Sequence, residues 1–390
     1  MDKGNILVIG NSGVGKSTLV NAVLGEERAE TSRGISGTTK ELKIYSSDSA
    51  PFNIVDSVGF EPSWRKRTQA INAVKKWSKE GAKGNEPEKR IDVIWFCVDG
   101  TAGKLFPQTI ESLSRATKMW ASVPVIVVIT KSYAEPERKE NTQIVYNAFA
   151  RQKKFSKNLK AVIPVVAWPY QITDDYAVPP QGIIELIDTT VELLPEGRKA
   201  ADRDIASFKL KRKRALSHAT SVSFSTLGAA VGAAPLPFAD AAPLCAIETA
   251  EIKAISAIYE IKSNDDSSRL IESLIEVGTV SLAAKSAISA LKLIPGINIA
   301  GSVLNATIAA CIVMAVGEGS RFIFEKVYLG EASVSDLEWA KRLLESRLAD
   351  NFISKATEAI EAVSERGTSS NVSQIISDIV SAIFKDETPR

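Results

Sequence analysis

Eight consecutive residues near the amino terminus, Gly10-Asn11-Ser12-Gly13-Val14-Gly15-Lys16-Ser17, satisfy the spacing GxxxxGK[ST] in full. Residues of these types at this spacing bind phosphate. The glycines let backbone N–H groups close on a β-phosphate, the lysine reaches the β- and γ-phosphates, and the final hydroxyl is a Mg²⁺ ligand. The candidate nucleotide contacts are therefore Asn11, Ser12, Gly13, Val14, Gly15, Lys16, Ser17 and the following Thr18. The plain alternative is a glycine-rich turn that matches by chance. Against it, the apolar run 5–10 leads directly into the loop, and a helix-like stretch begins near Lys16, its dipole favouring an anion.

A phosphate loop needs a sheet and helices to hold it. Apolar, β-branched runs recur at 52–56, 91–98, 123–130 and 161–166. Each is too short for a core helix, and runs apolar on both faces suit a parallel sheet covered by helices. Helix-like segments near 16–25, 64–79, 107–121, 139–153 and 181–193 separate them, and 41–46 could add an edge strand. The expected fold class is α/β, a doubly wound P-loop NTPase sheet, followed by an all-α helical domain. The predicted divisions are 1–195 for the nucleotide domain, 196–214 for a basic linker or helix, 215–332 for an Ala-rich helical domain with apolar hairpins, and 333–390 for amphipathic C-terminal helices.

Companion residues stand where a nucleotide site requires them. Asp56-Ser57-Val58-Gly59 ends the second apolar run and supplies a carboxylate for the metal shell and a glycine to sense the γ-phosphate. Ser36-Gly37-Thr38-Thr39-Lys40 supplies a threonine for Mg²⁺ in the loop before it. In this order the chain resembles the Era-like P-loop GTPases of the translation-factor class, over roughly residues 1–195. GNSGVGKSTLVNAVLGE is similar to the first motif of that family, GTTKEL to its switch I segment, and DSVGF to its DxxG segment. The loop wording is also similar to septins and immunity-related GTPases. The resemblance implies a G domain that binds GTP and GDP with Mg²⁺. Ser17, Thr39 and Asp56 would be the metal ligands, with Thr38 second to Thr39, and Lys16, Thr39 and Gly59 would serve catalysis. It also implies base contacts from Thr130, Lys131 and a backbone amide near Ala167.

Two departures change the expectations. Relatives carry [NT]KxD, whose carboxylate reads guanine; here the segment is Thr130-Lys131-Ser132-Tyr133, and a tyrosine cannot accept both guanine hydrogen bonds. GTP is still expected over ATP, by a smaller margin. Phe60 occupies the position of a water-orienting glutamine, and Gly13 that of an asparagine that binds catalytic K⁺. Intrinsic hydrolysis is expected to be slow, with the missing group supplied by a second G domain in a homodimer, by a partner, or by Arg33 in the switch I loop. Arg33 as a solvated loop residue is the plainer alternative.

Composition narrows the rest. Hydrophobic residues make 45% and charged residues 24% of 390 residues, which excludes a disordered, collagen-like or disulfide-scaffold chain. Lys+Arg 48 against Asp+Glu 46 leaves a net charge of +2, no global case for nucleic acid, and no specific nucleic-acid partner is expected. The basic segment 64–90 could face acidic lipid, RNA or a protein patch, with a solvated helix face as the default. Trp64 and Trp77 are expected as core anchors. Cys97, Cys245 and Cys311 stand far apart in apolar runs and are expected as buried thiols in a reducing compartment. The single His218 excludes a zinc site and a His-based triad. The polar start, with no secretory apolar region after it, points to a cytoplasmic setting.

The second half has two 25-residue stretches without Asp, Glu, Lys or Arg, 215–239 and 293–317, broken by Pro235, Pro237 and Pro295. With the turn Pro237-Phe238-Ala239-Asp240 it resembles the uncharacterised helical domain that trails many bacterial Era-like GTPases, a likeness that implies no chemistry. Hairpins buried in a helical bundle are the first reading. Hairpins that touch a bilayer are the second, with the basic run 209–214 facing anionic headgroups. The functional expectation is a GTP switch with a helical effector domain. The alternatives are a dynamin-like or immunity-related-GTPase-like membrane remodeller, a ribosome or RNA assembly GTPase, and a nucleotide-binding scaffold without turnover.

Overall fold

A computed structural model describes residues 3–25, 42–46, 49–57, 76, 90–105, 107–111, 122–152, 156–173, 176–233, 242–280 and 301–350. The turn 237–240, Pro295, Asn298, Trp64, Trp77, most of the basic segment 64–90 and the chain beyond Asp350 lie outside the described residues. The chain divides into two units: Met1–Trp168 with Pro180–Arg212, and Pro169–Pro179 with Lys213–Arg390.

The first unit is built on six strands, β1 (Gly4–Gly10), β2 (Leu42–Tyr45), β3 (Phe52–Ser57), β4 (Val93–Asp99), β5 (Val125–Thr130) and β6 (Leu159–Pro164). Their order is β2-β3-β1-β4-β5-β6, parallel except for the antiparallel edge strand β2. The α/β expectation is met, including the edge strand. β1 lies between β3 and β4, so the loop after β1 opens where the strand order reverses, the place where open α/β sheets bind ligands.

Among the described residues, the helices α1 (Lys16–Leu24), α2 (Glu135–Ala150) and α3 (Ile183–Leu193) accompany the sheet. Alternate residues of the central strands fill both faces. Leu7, Ile9, Phe96, Val98, Val127 and Ile129 pack with Val145, Ala148 and Phe149 of α2. On β4, Trp95 meets Phe52 edge-on, and its Nε1 donates to the Thr190 hydroxyl of α3 at 3.0 Å. α2 starts at Glu135, four residues before the predicted start, because Pro136 sits in the first turn with Glu135 and Glu137, a favourable amino-terminal composition.

The second unit contains β7 (Tyr170–Thr173) and β8 (Tyr176–Val178), an antiparallel pair, with the later part of α4 (Asp202–Ala233) and α5 (Ala242–Ile258), α6 (Asp265–Val280), α7 (Gly301–Tyr328) and α8 (Leu337–Asp350). Ala177 of β8 joins Phe224, Leu227, Ile247 and Val313 in one apolar cluster. Among the described residues no helix is long and apolar enough to cross a membrane.

The interior of this unit is unusually polar. His218 Nδ1 lies 2.7 Å from Glu318, and Arg321 donates to Glu318 at 2.6 Å. Arg214 donates to Glu325, which also accepts from the Tyr259 hydroxyl at 3.3 Å. His218 is thus a partner of Glu318 in this interior network. Glu248 and Glu251 on α5 are fully buried, and among the described residues no cation stands beside them in the hydrogen-bond or ion-pair network. A Cβ on Gly317 of α7 would fall 1.8 Å from Glu251 Oε1 and 2.3 Å from Ser221 Oγ, so only glycine leaves room for this pair. Gly317→Ala should destabilise the second unit by about 1–3 kcal/mol through overpacking, read as a lower unfolding midpoint with unchanged nucleotide affinity.

Much of the basic run 209–214 is paired within the protein. Lys209 donates to Asp188 at 2.8 Å, and the Arg212 guanidinium is buried against Gly25 at the end of α1. Lys213 is fully buried, donates to the Ile258 carbonyl and to Glu260 at 2.7 Å each, and lies 4.6 Å from the centre of the Tyr328 ring. Arg214 in turn pairs with Glu325. Cys97 and Cys311 are buried as expected, whereas Cys245 is half-buried; all three are free thiols.

Candidate functional site

β1 ends at Gly10, and the chain turns through Asn11–Gly15 into α1. The turn takes left-handed backbone twice, with φ of 79° at Gly13 and 96° at Gly15, a region costly for any residue with a Cβ. Gly15 caps α1 without a side-chain hydrogen bond, and the first helical turn has no acidic residue. The first amides and the positive dipole end are left for an anion. Ser12, Gly13, Ser17 and Thr18 are exposed at this end, Asn11 and Gly15 half-buried, and Val14 buried.

Lys16 is 9% exposed, and its ammonium donates to the Gly10 carbonyl at 2.9 Å and the Asn11 carbonyl at 3.0 Å. An incoming phosphate competes for those two bonds. Asp56 is buried near the end of β3, level with Val8, while Cys97 on β4 is level with Gly10. Burial pushes the Cys97 thiol up to about 12; Lys16 opposes that shift and Asp56 adds to it. The ammonium and the carboxylate therefore both act at the carboxyl edge of the central strands. The Ser17 hydroxyl and the Asp56 carboxylate are hard oxygen donors, the kind Mg²⁺ takes beside substrate phosphates, and they fit that ion. Thr39, Gly59 and Arg33, together with Thr38 and Phe60, lie outside the described residues.

On the other side of the loop, Thr130 is buried, and its hydroxyl reaches the carbonyls of Val14 and Val98. It fastens the phosphate loop to β4. Lys131 takes φ of 53° and sends its ammonium to the Gly13 carbonyl at 2.9 Å and the Asp99 carboxylate at 2.6 Å. Burial alone would raise the Asp99 pKa. The hydrogen bonds from Lys131 and Thr101 overcome it and hold the carboxyl below its ordinary range. Arg138 of α2 donates to the Ser132 carbonyl at 2.6 Å, the Tyr133 carbonyl at 3.1 Å and Gln181 Oε1 at 2.7 Å. The Ser132 N–H donates to the Val165 carbonyl at 3.2 Å, and Val166 and Gln181 exchange bonds of 3.1 and 3.0 Å. The loop 131–133 and the segment carrying Ala167 and Trp168 are thereby tied side by side.

The geometry brings together the loop 11–18, Asp56, Thr130 and Lys131, with the Ala167 segment bonded alongside. Sequence reasoning missed Asp99 and Arg138. Asp99 had one clue, its position at the end of an apolar strand just before Gly100. Arg138 had none, since a lone arginine on a charged helix resembles a solvated one.

Residues 5–131 match the family described as "50S ribosome-binding GTPase". The chain is 26% identical over 204 residues to the GTPase Der of Salinispora tropica, covering 50% of this chain and 36% of that one. It is 45% identical over 73 residues to the GTPase Der of Neisseria meningitidis, covering 18% of this chain and 14% of that one. Among solved structures, a variant of Aquifex aeolicus Era bound to GDP·AlF4⁻ is 23% identical with a TM-score of 0.33, over 56% of this chain and 68% of that one. The chain spans about a third of the length of the first Der relatives, 36% and 35%. By its sheet and the loop built on Gly13, Gly15 and Lys16, the amino-terminal unit has the P-loop NTPase fold, and its residues 5–131 match a GTPase family model and are similar to the GTPase Der.

Proposed function

We propose that this protein is a GTP-binding switch with slow Mg²⁺-dependent hydrolysis, activated by assembly or by a partner, whose helical unit acts as the effector. The observation that carries the reading is the phosphate loop: two left-handed glycines, an uncapped helix end and a lysine held over the loop carbonyls, at the reversal point of the sheet. Lys16 exchanges its carbonyl bonds for β- and γ-phosphate oxygens. Backbone amides of 13–18 hold the β-phosphate, and Ser17 and Asp56 hold the metal with Thr39. Held by these residues, the ion would supply neutralisation of phosphate charge. Lys131 and the Ala167 amide hold the base, and Gly59 senses the γ-phosphate. Binding of GTP and GDP to the purified protein, with and without Mg²⁺, tests this directly; absence of Mg²⁺-dependent binding rejects it.

A facing G domain would supply the group that Gly13 and Phe60 do not, with Arg33 as its donor. Specific GTPase activity should rise at least tenfold from nanomolar to tens of micromolar protein, well within the roughly 10³–10⁵ an arginine finger contributes. A flat profile measured by phosphate release would exclude homodimer activation.

The family match favours a second reading, in which the partner is the large ribosomal subunit or its RNA. Co-sedimentation with 50S particles, compared between GDP and a non-hydrolysable GTP analogue, separates it from a switch that acts elsewhere. A cytoplasmic location with peripheral membrane contact through the helical unit is the remaining proposal. Flotation with anionic liposomes tests it, and the internal pairing of residues 209–214 argues for weak binding.

A further inference from the structure

The base side of the site holds a residue that the phosphate chemistry does not use. Trp168 is 60% exposed, the most exposed of the large apolar side chains among the described residues. It follows Ala167 directly, in the segment bonded to the 131–133 loop through Ser132 and Val165. An indole left in water at that place leaves apolar surface unburied, and a planar heterocycle covers such a face well.

The polar groups nearby are already committed. Asp99 accepts from Lys131 and Thr101. Ser132 turns its hydroxyl inward to the Ile129 carbonyl at 2.7 Å, and its own carbonyl is taken by Arg138. Tyr133, where a carboxylate would be needed, has its carbonyl taken by Arg138. Glu135 is largely exposed in the first turn of α2 and pairs with Lys139 at 3.3 Å. Among the described residues of this loop no carboxylate is left to accept from the N1 and N2 groups of guanine. The Ala167 amide, the base contact proposed above, donates and so pairs with a 6-oxo group but not with a 6-amino group.

We propose that Trp168 is the base-stacking residue of this site, and that the site selects 6-oxopurine nucleoside triphosphates as a class, accepting inosine as well as guanine. This rests on the nucleotide-site reading given under Proposed function. Stacking supplies the affinity that a carboxylate would otherwise add. The Ala167 amide supplies the preference against adenine, and the 2-amino group goes unread.

The test is calorimetric titration of the full chain with Mg²⁺ and four ligands: GTP, ITP, ATP and inorganic tripolyphosphate. The wild type should bind GTP and ITP within about twofold of each other, and ATP more weakly. Trp168→Ala should lose about five- to a hundredfold for GTP and ITP with tripolyphosphate affinity unchanged, and Trp168→Phe should recover most of the loss. Because the side chain is exposed, both variants should keep the wild-type unfolding midpoint. Equal GTP affinity in Trp168→Ala and wild type would overturn the stacking role. ITP tenfold weaker than GTP would overturn the unread 2-amino group, since an acceptor must then be reading it. Failure of the wild type to bind tripolyphosphate and GTP alike would instead reject the phosphate site on which the proposal rests.

Discussion

Lys16→Ala should reduce Mg²⁺-dependent GTP affinity by about a hundredfold or more while leaving the unfolding midpoint within a few degrees of wild type. The ammonium makes two hydrogen bonds, to the carbonyls of Gly10 and Asn11. Transferred to phosphate oxygens these become charge-assisted bonds worth about 1.5–3 kcal/mol each, and two of them account for the expected factor. The structural cost is small because the turn is set by backbone at Gly13 and Gly15 rather than by the lysine. Calorimetry with GTP decides the matter: unchanged affinity would remove the phosphate site, whereas a collapsed midpoint would show that Lys16 holds the loop itself.

The second large effect belongs to the helical unit and to pH. Burial raises the Glu248 carboxyl to about 8. Glu251 is raised well above its ordinary value, by burial first and then by the neighbouring Glu248 and Glu318, with the Ser221 hydroxyl partly opposing. A raised carboxyl pKa means the folded state keeps a proton that the unfolded chain releases near 4.5. These groups therefore favour folding below about 4.5, and their contribution falls as pH rises towards 8. For Glu248 the change from 4.5 to about 8 corresponds to roughly 5 kcal/mol across the whole interval. Glu318 and Glu325 run the other way. Both are buried, but bonds from His218 and Arg321, and from Arg214, hold them below their ordinary values. Their contribution is present above about 4.5 and lost in stronger acid. Stability should thus peak in mildly acidic solution and decline towards neutrality. Glu248→Gln should flatten that decline and raise stability at pH 7 by roughly 3 kcal/mol. Unfolding midpoints of wild type and variant between pH 4 and 9 provide the check, and parallel curves would refute it.

The phosphate loop was legible in the sequence because its chemistry is written in backbone requirements. A glycine at a left-handed position, or a lysine opening a helix after an apolar run, has few other uses. The sheet followed from Val and Ile runs that bury both faces. The β7–β8 hairpin was not legible: its strands are four and three residues long, and the brief alternation Tyr170-Gln171-Ile172-Thr173 buries no face. The basic run was legible as charge, but its pairing was not, because its partners Asp188, Glu260 and Glu325 are up to 111 residues away. A single sequence carries no signal for pairs so distant. Arg138 shows the same limit within the site, since its partners are two backbone carbonyls and the side chain of Gln181, 43 residues away.

The division of the chain also bears on how the protein is made. The hairpin 169–179 belongs to the second unit, yet it leaves the ribosome before Pro180–Arg212 completes the first. Ala177 must wait for Phe224, Leu227, Ile247 and finally Val313 before its apolar cluster can close. At typical synthesis rates of about 5–20 residues per second, that delay is on the order of ten seconds. During that interval the loop has no partner, and Ala177 and Val178, buried in the finished protein, are open to chaperones. A chain cut after Arg212 would keep that loop exposed permanently, so the G domain made alone is better shortened across 169–179 than left with a strand pair whose core it lacks.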